Sequence, residues 1–88
     1  MAQDGQDGAV LVLEILVAME AQQHAKLLSL AREAVPGMTA DDLKNPDDWR
    51  ALHHDPRFNY EDGVLAGIRA AAAAVRRLAA SERGGSAP

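Results

Sequence analysis

The chain contains no cysteine, which excludes disulfides, thiolate metal sites and cysteine nucleophiles together. Aromatic residues are scarce, one each of tryptophan, tyrosine and phenylalanine, and Trp49, Phe58 and Tyr60 all fall in one short stretch. Proline and glycine are missing from Ala9 to Val35, where Pro36-Gly37 ends the run. A long hydrophobic run is also missing. The most apolar stretch, AVLVLEILVAM at residues 9–19, carries Glu14 and is well short of the roughly 20 residues that cross a bilayer. The acidic, glycine-rich MAQDGQDG before it lacks the basic leader of a signal peptide, so a cytoplasmic location is expected. Basic charge is lacking overall: the net charge of −4 argues against general nucleic-acid binding, which needs a positive surface.

What is present describes one globular domain, 48% apolar and 25% charged in 88 residues, without an internal repeat. Its core is small for its length, so the stability margin is thin and a partner chain would widen it. Charge is segregated along the sequence. Residues 38–62 hold seven acids and three bases, whereas residues 63–88 hold four arginines and one acid.

The uninterrupted segment 9–35 predicts a first helix roughly 40 Å long at about 1.5 Å per residue. Ala9, Leu13, Leu16, Leu27, Leu30 and Ala34 keep heptad phase, and Glu20 and Gln23 interrupt that stripe as polar positions that fix pairing register. In its first half Val10, Leu11, Val12, Leu13, Ile15, Leu16, Val17 and Met19 point all round the axis. A helix apolar on all sides needs cover on all sides, more than one neighbouring helix supplies.

A second helix is expected at about residues 60–82, capped by Asn59, with Val64, Ile68, Ala71, Val75 and Leu78 forming a seam of alternating four and three spacing. Gly63, Gly67, Ala70 and Ala74 add a line of small residues beside it. Between the helices, in a connection at residues 36–59, Thr39-Ala-Asp-Asp42 and Asn45-Pro46-Asp47-Asp48 have the caps of two short helical turns. Residues 1–8 and 83–88 are expected to be disordered ends. The fold class is therefore all-α: a long helical hairpin with short helical turns in its connection, two copies pairing into a four-helix bundle dimer. Val12, Leu13, Leu16, Met19, Ile68 and Val75 are the expected oligomer interface. A hairpin docked on a different protein is the alternative.

Chemistry-bearing clusters are few. Glu20 and His24 lie four apart on one helical face, but carboxylate-bridged metal bundles use Glu-x-x-His pairs with further inward glutamates, which the second helix does not supply. His53-His54 with nearby acids such as Asp47, Asp48 and Asp55 is the other metal candidate, although adjacent histidines on a helix diverge by about 100°. Serine occurs only at positions 29, 81 and 86, none in a strained turn or beside the histidines, so a nucleophile is not expected. Arg69, Arg76 and Arg83 recur every seventh residue with Arg77 nearby, a basic stripe suited to pairing with Glu14, Glu20 or Glu33.

HHDPRFNYEDG at residues 53–63 reads chiefly as a corner, with Asp55-Pro56 redirecting the chain. Trp49, Phe58 and Tyr60 are placed to close the end of the bundle or to anchor a partner, and the surplus of acids suits a recognition surface. The expected function is a non-catalytic interaction module, an adaptor or regulatory subunit that binds a larger protein through Asp47, Asp48, Trp49, Arg57, Phe58, Tyr60 and Glu61. No cofactor is expected. The alternative is a metal-binding or metal-sensing bundle using His53, His54 and neighbouring acids.

Overall fold

The computed structural model describes residues 4–85, with side chains over 8–81. Helix α1 spans Asp4–Ala34 and α3 spans Pro56–Gly85; between them lie two 3-10 turns, Asp42–Lys44 and Pro46–Asp48, and one turn of helix, α2, at Arg50–His53. The two long helices pack along each other as a hairpin, and among the described residues there is no strand. The rod measures 52 × 20 × 20 Å with a radius of gyration of 17.0 Å; a compact chain of this length would have about 12 Å. The difference means long helices with little to cover them.

Both helices exceed their expected bounds. Residues 4–8, expected in a disordered N-terminus, continue α1: adding a turn to an existing helix is cheap beside nucleating one. Residues 83–85 likewise continue α3, while residues 1–3 and 86–88 lie outside the described residues. At its other end α3 starts four residues before Tyr60. Asp55 is the cap, its Oδ1 accepting from the backbone N–H of Arg57 at 2.9 Å and of Phe58 at 3.2 Å, with Pro56 at the favoured first helical position. Asn59 instead donates to the His53 carbonyl at 3.0 Å, closing the end of α2.

The connection is built by local chemistry. Pro36 and Gly37 make a tight turn in which Met38 N–H donates to the Val35 carbonyl at 3.2 Å, and Gly37 takes φ of 86°, open to glycine and strained for other residues. The turn sends Met38 into the interior, where Arg32 Nε holds its carbonyl at 2.8 Å. Thr39 and Asp42 form the expected reciprocal cap: Asp42 N–H donates to Thr39 Oγ1 at 3.2 Å and Thr39 N–H to Asp42 Oδ2 at 3.0 Å. Asn45 makes no side-chain cap bond; the second turn starts at Pro46 and is closed by backbone bonds from Asp48 N–H to the Asn45 carbonyl at 3.1 Å and from Trp49 N–H to the Pro46 carbonyl at 3.0 Å.

The core lies at the connection end. Leu27 and Ala31 of α1, Met38, Leu43 and Leu52 of the connection, and Phe58 and Leu65 of α3 form one buried cluster, flanked by Leu28, Val35 and Trp49. Farther along the rod, among the described residues, only Ala72 and Ala79 are buried. The face α3 buries against α1 therefore runs Phe58, Leu65, Ala72, Ala79, with Ile68 and Val75 half-covered. Of the expected seam, Val64 is half-covered, while Ala71 and Leu78 are exposed. That stripe is rotated away from the line joining the helices, pointing partly at α1 and partly past it.

Candidate interaction surface

Polar side chains set the register of the hairpin. Gln23 Nε2 donates to both the carbonyl and Oε1 of Glu61, at 3.0 and 2.9 Å, and Lys26 Nζ meets Glu61 Oε2 at 2.8 Å. Glu20 pairs with Arg69 at 3.7 Å. The polar interruption of the α1 stripe thus has cross-helix partners on α3. Hydrogen bonds from Lys26 and Gln23, with the positive charge of Lys26, hold the Glu61 carboxyl below its ordinary value of 4.5 against the opposing effect of partial burial.

Two clefts flank the hairpin near the connection. One, of about 340 Å³, is lined by Lys26, Leu30, Pro56, Arg57, Tyr60 and Glu61. Three residues expected at a partner surface meet here, and Tyr60 is 70% exposed. On the other flank a cleft of about 430 Å³ has a floor of Leu27, Leu43 and Leu65 and a rim of His24, Asp41, Lys44, Asp62 and Arg69. Sequence reasoning missed this second group. His24 and Arg69 come from helices far apart in the chain, and only the hairpin register brings them together. Neither lining contains a serine, and Ser29 and Ser81 are exposed on the helices.

The other expected site residues divide. Asp47 and Asp48 are exposed on the second 3-10 turn, Trp49 is half-buried against the core, and Arg57 is exposed beside Glu33 at 3.5 Å. Phe58, only 2% exposed, is an interior ring and cannot reach a partner in this conformation. Glu61 is already committed to Lys26 and Gln23. Of the residues expected at an oligomer interface, Leu13, Leu16, Ile68 and Val75 are half-buried, whereas Val12 and Met19 are exposed; helical phase turns the first four toward the α1–α3 seam within one chain.

The histidine pair lies at the end of α2. His53 Nδ1 is 3.3 Å from Asp47 Oδ1, and the His54 ring stands edge-on to His53 at 5.0 Å between centroids. Among the described residues no group of three or more histidines and acids is arranged to hold a metal ion. Nor, among them, is any helix long and apolar enough to cross a membrane.

Among the described residues, large apolar side chains stand uncovered on the outer half of α1. Val10, Leu11, Val12, Ile15, Val17 and Met19 are each 43 to 60% exposed, and Leu78 on α3 is 55% exposed. No protein-family model, curated protein or solved structure matches the chain.

Proposed function

We propose that this protein is a non-catalytic interaction module, an adaptor or regulatory subunit, whose hairpins pair as a four-helix bundle dimer and whose connection binds a larger protein. The observation that carries the reading is the run of six large apolar side chains left open on the outer half of α1. Exposed apolar surface of that kind marks association sites, and a second hairpin is the economical cover for its Val12, Ile15 and Met19 side. The partner-facing surface is the groove of Arg57, Tyr60 and Lys26 together with the acids of the second 3-10 turn. An exposed ring over an apolar groove is the usual energetic anchor of an interface, and surrounding acids steer a basic partner.

The test is affinity capture from the native host with three baits: the unsubstituted protein, Tyr60→Ala, and the double reversal Asp47→Lys with Asp48→Lys. A protein retained by the first and lost from the others, at unchanged melting temperature, is the expected result. Equal capture by all three folded baits would contradict the assignment of the surface.

A further inference from the structure

Resting on the self-association proposed above, we infer that the second copy packs antiparallel, on a two-fold axis passing between Ile15 and Ala71. The dimer then holds its two connections, with the exposed acids Asp47 and Asp48, at opposite ends, and each groove of Lys26 and Tyr60 lies at the margin of the shared flank. The clefts identify the two flanks of the hairpin. One carries His24 and Arg69; the other carries Lys26 and Tyr60. Steps of seven residues stay on one flank. From Lys26 they lead to Met19 and Val12, with Ile15 between, and from Tyr60 to Gly67 and Ala74, with Val64, Ala71 and Leu78 alongside. Between residues 8 and 22 of α1 and between 64 and 81 of α3 no charged residue occurs on this flank. Arg69 and Arg76 lie on the opposite one.

A two-fold interface must be complementary to itself, so each patch meets its own image. The apolar pattern satisfies this. Val64 and Leu78 stand seven residues either side of Ala71, and Val12 and Met19 stand three and four residues either side of Ile15. The bonds from Gln23 to Glu61 and from Glu20 to Arg69 put Ile15 and Ala71 at nearly the same height, so one axis serves both helices. About that axis Val12 meets Met19 of the other copy, Val64 meets Leu78, and the two α3 helices approach at Gly67, Ala71 and Ala74. A Cβ added at Gly67 would meet nothing within 4 Å, so the hairpin itself leaves the space open.

Size bounds this arrangement and charge favours it. Fifteen residues at about 1.5 Å each make the flank about 22 Å long. Across the 20 Å breadth of the rod the flat footprint is roughly 440 Å² per copy, about half of the roughly 800 Å² of accessible surface per partner in a standard interface, which fits a reversible pair. A parallel pair would also set two acid-rich connections side by side at helix-packing distance, about 8–10 Å, comparable to the Debye length and therefore weakly screened. The antiparallel pair separates them.

The absence of cysteine allows single reporters. Ile15→Cys and, independently, Ala71→Cys are expected to form intermolecular disulfides on mild oxidation, since each pair lies near the axis, within the roughly 7 Å of Cα separation a disulfide tolerates. Both positions are exposed in the hairpin, so neither change disturbs its core. Spin labels on Ser29→Cys are expected at about 42 Å or more, being fourteen residues from the axis on each copy. A dimer with Ser29 labels within about 25 Å, roughly two helix diameters, overturns the antiparallel arrangement and leaves self-association standing. A monomer by sedimentation, without either disulfide, overturns both.

Discussion

Glu61 is the residue on which the hairpin register turns, because one carboxylate takes bonds from both Gln23 and Lys26 of the other helix. Its folded pKa lies below the ordinary value of 4.5. It therefore contributes stability that is present above the unfolded value and lost as pH falls through the folded one. Thermal melts between neutral pH and about pH 3 should show the unsubstituted protein losing more stability than Glu61→Gln, and parallel losses would remove Glu61 from this role. The aromatic residues separate in the same concrete way. Phe58→Ala should cost about 3–5 kcal/mol in denaturant unfolding, whereas Tyr60→Ala, at an exposed position, should change stability by less than about 0.5 kcal/mol. Sequence alone left all three rings either closing the bundle internally or anchoring one candidate surface. The signal that divides them was there: Phe58 lies seven residues before Leu65 and fourteen before Ala72, on the buried face, while Tyr60 is two positions out of phase. Using it required knowing that α3 already includes Phe58.

At the scale of elements, that start is set by Asp55 and Pro56. Asp55→Ala should destabilise the protein by about 1 kcal/mol, the ordinary effect of a lost N-cap acceptor, and Asn59→Ala by less, as measured by denaturant unfolding; the reverse order would restore Asn59 as the cap. Gly37→Ala should cost about 1–2 kcal/mol from its left-handed backbone, although a Cβ there has open space. Asp-Pro was legible as a corner but equally obeys the rule applied correctly to Pro46, a proline at the first helical position. The two long helices, the Pro36-Gly37 stop and the Thr39–Asp42 cap were legible because each rests on local chemistry. The buried face of α3 was not. Residues 70–74 are all alanine, so apolar periodicity does not distinguish the stripe against α1 from the stripe containing Val64, Ala71 and Leu78. Only the partner helix resolves them.

For the whole molecule, burial is concentrated at one end of a 52 Å rod, and the other end holds its helices together with alanines and half-covered aliphatic residues. The all-round apolar character of the first half of α1 was plain in the sequence, and so was its need for cover beyond one helix. What the sequence left open was which of those side chains the hairpin itself covers: Leu13 and Leu16 turn toward the seam, leaving Val12, Ile15 and Met19 outside. A charge at Leu16 should therefore damage the hairpin, because it enters a half-buried seam without a partner. A charge at Ile15 should leave the hairpin folded and act only between copies. Sedimentation equilibrium of the unsubstituted protein at micromolar concentration, beside Ile15→Glu, tests this most directly. The account expects twice the 9.4 kDa chain mass for the first and the single-chain mass, with helical circular dichroism retained, for the second. A single-chain mass for the unsubstituted protein would contradict it.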